Sequence, residues 1–322
     1  MQVASPGASC FGKLPTHGDF LRYNASGRAM QAFDAWVQQG IVEAQRQLGQ
    51  ELIPAFEQAG TTCFFFDAPN VPHVLTGAFR PSRDRSGRRY PFLVAVEVEK
   101  RTVEGRRIPG WPDRYERFFR AAALLVDEAV DGRLEEGELP ERLAFLRAIH
   151  DATPFSVDYE FRLRQASAQE LWARTWGDAE DGRKYVLLKN LTEAFGAASN
   201  GRSAKLPGVL DLPLPVPPRG LDVSFWLEAC WHLLGSPPDY TAVFWTSVGA
   251  AAEARMLVTS APPPAAVFPH LLTAGSGPGV LALDDAAGQP AALAALALPA
   301  RFGTLLEDEA LTLYTFLHRL SP

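Results

Sequence analysis

The sequence predicts an α/β fold around a mixed, largely antiparallel sheet, and three observations carry that prediction. Residues 1–131 read in the order helix, three strands, helix, and residues 221–275 echo it as helix, two strands, helix, in pattern rather than in residue identity. The run Phe92-Leu93-Val94-Ala95-Val96 lacks polar alternation, as a strand buried on both faces does. Feeding that strand is a turn, Arg80-Pro81-Ser82-Arg83-Asp84-Arg85-Ser86-Gly87-Arg88-Arg89-Tyr90-Pro91, in which five arginines surround one aspartate. A polar turn at a sheet rim is where loops carry recognition.

Along the chain, Gly7 to Lys13 imitate the phosphate-loop spacing GxxxxGK. Leu14 and Pro15 then stand where a magnesium-binding hydroxyl and a helix start are needed, so nucleotide binding is rejected. Phe11 to Phe20 is punctuated by Gly and Pro and reads as extended or turning. Asn24 or Ser26 can cap a helix from about Gly27 to Leu48, closed by Gly49, whose apolar stripe includes Met30, Phe33, Trp36 and Ile41. Three strands follow over 61–67, 74–79 and 91–98, as a meander. Asp113, with Glu116 in capping-box position, opens a helix whose stripe runs from Tyr115 to Ala129.

Residues 132–220 form a helical middle segment, with helices over 140–150, 167–176 and 182–195. It ends in a stiff connector, Pro207 to Gly220, with five prolines. The second part of the same domain, 221–275, has a helix capped by Asp222 and a hairpin from 242–247 and 254–259. A helix pre-set by Pro262 to Pro264 runs through Leu272. The extension 276–322 carries a strand at Val280 to Leu283, an Ala/Leu stretch and a final helix from Leu306 to Leu320.

The 322 residues suffice for a sizeable core. A net charge of −6 argues against a general nucleic-acid binder. Cys10, Cys63 and Cys230 are widely spaced in apolar neighbourhoods and read as reduced core thiols. The N-terminus has no secretory pattern, and the longest Ala/Leu stretch, Pro290 to Pro299, is about half of a membrane crossing. A soluble, cytoplasmic chain without membrane insertion is expected.

Chemistry-bearing patterns are sparse. The histidines show no metal-ligand spacing, no GxSxG or GxGxxG follows a strand, and Trp226, Trp231 and Trp245 read as core. No catalytic residue, metal or cofactor is predicted. A hydrolase or phosphatase reading would need His17, Asp19 and Asp84 to converge beside a nucleophile or metal. Two readings of the arginine turn stay open: a rivet, with Asp84 pairing arginines to hold the turn on the N-terminal segment, or a recognition surface.

Phe11-Gly12-Lys13-Leu14-Pro15-Thr16-His17-Gly18-Asp19-Phe20, then Phe33-Asp34-Ala35-Trp36, then Pro81 to Phe92, resemble the TagF (ImpM) family of type VI secretion-associated proteins. That family's pattern reads GKLPxxGDF, FxxWxxW or a variant, and PSxDRxGRxxP. Phe244-Trp245-Thr246 and Pro262 to Leu272 extend the resemblance, which covers roughly residues 8–275 and is sharp in the first hundred. It implies a three-layer αβα sandwich, no enzymatic activity, and post-translational repression of type VI secretion through Fha, a forkhead-associated scaffold. An assembly component of the apparatus is the alternative. Lys13, Asp19, Arg80, Ser82, Asp84, Arg85, Arg88 and Arg89 are the residues expected to bind that partner or to hold the motif. Arg83 and Ser86 depart from the family's apolar preference, and 132–220 and 276–322 lengthen this chain beyond short members.

Overall fold

In strand β3 (Thr62–Asp67), Cys63 and Phe65 enter one hydrophobic core while Phe64 and Phe66 enter the other. The strand Phe92–Glu99 divides likewise, with Phe92, Val94 and Val96 on one side and Leu93 and Ala95 on the opposite side. A sheet apolar on both faces must be covered twice, and helices cover it twice. The computed structural model describes residues 7–103, 108–135, 137–153, 159–198, 205–246, 253–273, 279–285 and 290–320.

The other strands are β1 (Ser9–Gly12), β2 (Leu21–Tyr23), β4 (His73–Arg80), β5 (Phe92–Glu99), β6 (Val209–Leu214), β7 (Ala242–Thr246), β8 (Ala254–Thr259) and β9 (Val280–Ala282). They form one sheet in the order β2-β1-β5-β4-β3-β7-β8-β6-β9. Every pairing is antiparallel except the parallel β6–β9 pair. The expected meander is β3-β4-β5, and the expected hairpin is β7-β8.

One face carries α1 (Arg28–Leu48), α2 (Leu52–Gln58) and, later in the chain, a helix over Val267–Thr273. A short α3 (Lys100–Val103) follows β5. The other face begins with α4 (Trp111–Arg114), α5 (Glu116–Val130) and α6 (Leu139–Asp151). It continues through α7 (Tyr159–Gln165), α8 (Ala168–Trp176), α9 (Arg183–Ala198) and α10 (Gly220–Leu234). The remaining helices are α11 (Val267–Thr273), α12 (Ala291–Ala297), α13 (Ala300–Glu307) and α14 (Leu313–Leu320). The result is the three-layer αβα arrangement.

Several local expectations need correction. Neither Asn24 nor Ser26 caps α1; the N-cap is Gly27, which has no side chain to offer. Asn24 sits in a left-handed turn (φ 51) and donates its amide to the Ala8 carbonyl. The helix start is served instead by Glu97 of β5, whose carboxylate accepts the Met30 N–H at 3.3 Å. A β-carbon on residue 27 would lie 1.8 Å from Glu97 Oε1, so glycine lets the carboxylate reach a helix N-terminus.

Asp113 does not open a helix. Pro112 allows α4 to start at Trp111, and the chain breaks at Tyr115 before α5. The Asp113 carboxylate is buried against the Arg162 guanidinium of α7. Pro207 to Gly220 is more than a connector, because 209–214 is β6, paired on both sides. Pro213 lies past Asp211, the last residue of β6 that β9 pairs, where β6 is an edge on that side and tolerates a missing donor. The final helix is shorter than expected: Asp308 turns the chain by accepting the Ala310 N–H. Leu311 and Leu313 then bond with Ala168 and Ala166 before α14 begins.

Burial pushes the Asp113 carboxyl up to about 6, and Arg162 offsets only part of that rise. A carboxyl whose folded value exceeds its unfolded one binds its proton more tightly when folded, so stability falls as pH rises from about 4 through about 6. Over that window the wild type is expected to lose up to about 3 kcal/mol relative to Asp113→Asn. Urea melts of both proteins between pH 4 and pH 8 check this; parallel curves would refute it.

Candidate functional site at the arginine turn

Gly12 makes the site possible. It ends β1 with φ 133, and a β-carbon there would fall 2.0 Å from the Pro91 carbonyl oxygen. With only hydrogen at that position, β1 lies against β5, Phe11 opposite Leu93, and the next residue enters the turn. That residue, Lys13, is 5% exposed. Its Nζ donates to Asp84 Oδ2 at 2.8 Å, and Arg88 Nε donates to the same oxygen at 2.6 Å. Asp84 Oδ1 accepts the Ser86 N–H (3.0 Å), the Ser86 hydroxyl (2.7 Å) and the Arg88 N–H (2.9 Å).

Burial alone would raise the Asp84 carboxyl. Donation from Lys13, Ser86 and Arg88 outweighs burial and holds it well below the usual carboxylate range. Gly87 closes the loop at φ 86, with its N–H on the Asp84 carbonyl. Arg88 Nη2 reaches the Gly18 carbonyl at 2.7 Å, and the Arg85 N–H reaches the His17 carbonyl at 2.8 Å. The two motif segments are therefore stitched together through both side chains and backbone.

Around this knot Phe11 and Phe20 stack at 5.4 Å, and Tyr90 meets both rings edge-on. Lys13 also lies 4.9 Å from the Phe20 ring. The Tyr90 hydroxyl donates to Asp34 of α1; burial first, then this hydrogen bond and the Asp34 charge, push that phenol up.

The predicted residues thus fall into groups. Lys13, Asp84 and Arg88 converge, with Asp19 exposed at 4.0 Å from Arg88 and accepting the Phe20 N–H. Arg85 contributes its backbone, while its side chain lines a cleft of about 640 Å³ with His17 and Arg22. Arg80 leaves the turn and pairs with Asp127 of α5 and with Asp131, which caps that helix, at 3.1 and 3.0 Å. Ser82, Arg83 and Arg89 occupy the other flank, where Glu57 of α2 approaches both arginines. His17 bonds to the neighbouring Thr16 hydroxyl.

Sequence reasoning missed three partners: Lys13 for Asp84, Glu57 for Arg83 and Arg89, and Asp34 for Tyr90. The available signal was one lysine set between Phe11 and Leu14, because a cation drawn into an apolar strand end needs a buried acceptor. Burial also pushes the Cys10 and Cys230 thiols up to about 12, as inert core residues. No group of metal-ligating side chains occurs among the described residues, and none of their helices is long and apolar enough to cross a membrane.

The crystal structure of PA0076 from Pseudomonas aeruginosa PAO1 is similar, with a TM-score of 0.47 and 16% identity, covering 84% of this chain and 96% of that one. No curated protein matches the chain. Residues 9–146, which contain both halves of the knot and all of α5, match the TagF N-terminal domain, described as type VI secretion system-associated. By that match residues 9–146 of this chain are similar to the N-terminal domain of TagF, a type VI secretion-associated protein.

Proposed function

We propose that this protein is a non-enzymatic, cytoplasmic repressor of type VI secretion that acts after translation by binding the forkhead-associated scaffold Fha. The observation that carries the reading is the match of residues 9–146 to a type VI secretion-associated domain, with the matched motifs built as a saturated ionic knot. Asp84, the carboxylate a hydrolytic mechanism would call on, already accepts five hydrogen bonds from Lys13, Ser86 and Arg88. A carboxylate so engaged is a poor base; it fixes the Arg88 guanidinium and braces a turn whose flanks carry Arg83, Arg85 and Arg89, cations suited to an acidic surface.

Deleting the gene should raise effector secretion without changing scaffold abundance, and tagged protein should capture Fha from lysate. Charge reversal at Arg83 and Arg85, which leaves the Asp84 contacts intact, should abolish capture while the circular dichroism stays native. Secretion that falls on deletion would instead make this a component needed for assembly.

A further inference from the structure

The arginine turn has two flanks, and only one is used up by the knot. On the other, the antiparallel bridge between Arg83 and Arg89 sets two guanidinium groups side by side. They share a single carboxylate, Glu57, at 3.7 and 3.2 Å. Two cations against one anion leave a net positive charge. Glu57 is 50% exposed and Arg83 is 58% exposed, so these are weak, solvent-screened pairs.

Beneath them lies a hollow of about 310 Å³, lined by Pro15, Phe56, Pro81 and Val130, by these three charged groups, and by Arg80 and Asp131, which neutralise each other as an ion pair at 3.0 Å. Two donors are buried at this site without a hydrogen-bond partner among the described residues: the Ser82 hydroxyl and Arg89 Nε. Ser82 is 6% exposed, and a buried hydroxyl and a buried guanidinium N–H left unspent are both costly. Idle donors, adjacent guanidinium groups and one loosely held carboxylate together describe a site for an oxyanion.

We propose that Ser82, Arg83 and Arg89 bind a carboxylate or phosphate group presented by a partner, and that Glu57 occupies the site in its absence. The incoming group accepts from the Ser82 hydroxyl, Arg89 Nε and the Arg83 guanidinium, and displaces Glu57 into solvent. Glu57 is thus a built-in competitor that sets a threshold for binding. The biological use of the site rests on the partner-binding reading above, but the site itself answers to small anions.

The test titrates inorganic phosphate, and separately acetate, into the full chain at low salt while following the arginine Nε–H resonances by NMR. Arg83 and Arg89 should shift together and saturate, with Arg22 and Arg85 unmoved. Saturation by phosphate alone assigns a phosphorylated side chain, and saturation by acetate assigns an acidic one. Glu57→Gln should tighten binding by about fivefold or more, and Ser82→Ala or Arg89→Lys should weaken it by a similar factor. Circular dichroism of each variant confirms folding.

Absence of saturation with either anion, equal shifts at Arg22 and Arg85, or indifference to Glu57→Gln would each overturn the proposal. Loss of the anion site with Fha capture intact would leave the regulatory reading standing. Anion binding without Fha capture would do the reverse.

Discussion

Asp84→Asn is expected to lower the melting temperature by roughly 5–15 °C, despite being nearly isosteric. Oδ1 receives three donors and must remain an oxygen, so the new amide nitrogen replaces Oδ2. It would then face Lys13 Nζ and Arg88 Nε, both donors themselves. Lys13 is buried, so the substitution strands an ammonium away from water, which costs more than the loss of a pair. Adding Lys13→Met to the variant should recover part of the loss.

Because the Asp84 carboxyl is held well below its unfolded value, its contribution is complete at neutral pH. It begins to fade only as pH falls below about 4 and vanishes as pH passes its depressed folded value. Differential scanning calorimetry at pH 7 is therefore the right comparison. A shift below about 2 °C would refute the idea that the knot holds the turn.

Gly12→Ala should be as damaging by another route. The added methyl would meet the Pro91 oxygen at 2.0 Å and Phe92 Cα at 2.7 Å, both backbone atoms of the neighbouring strand and turn. Neither can swing aside, so β1 must lift from β5, drawing Lys13 away from Asp84. Gly87→Ala is the matched control, since φ is also positive there (86) but the space is open. The control should show backbone strain alone, about 1–3 kcal/mol, and Gly12→Ala distinctly more. Hydrogen exchange should show β1 amides losing protection in the first variant and keeping it in the second; equal behaviour would refute the steric argument.

What was legible in the sequence was what depends on near neighbours. The stripe from Phe118 to Ala129 is the buried side of α5, and Phe92 to Val96 is a strand covered twice. Ser167 caps α8 by accepting the Gln169 and Glu170 N–H groups, at the point where the sequence starts that helix. What was hidden depends on groups far apart in the chain. Glu97 serves the N-terminus of α1 from 67 residues away, and Lys13 meets Asp84 across 71. Asp113 finds Arg162, Asp222 finds Arg174, and Asp211 finds Arg255, each a carboxylate paired with an arginine more than 40 positions along. A charged residue in a sequence looks solvated, and only the fold reveals that its partner has been brought to it. The candidate site shows the same division: the turn could be located, but not which arginines it consumes and which it leaves available.

The junction between β3 and β7 has its own consequence. Thr62 to Phe66 align with Thr246 to Ala242, so β3, the last strand of the family-matched half of the sheet, shares its outer edge with one contributed from beyond residue 220. A fragment ending at residue 146 would present that edge bare, with Phe64, Phe65 and Phe66 in a row, and such an edge recruits other chains. The signature-bearing portion therefore depends on its C-terminal companion for solubility. Excised alone, it should come out of expression as aggregate, and co-expression of residues 207–322 should rescue it.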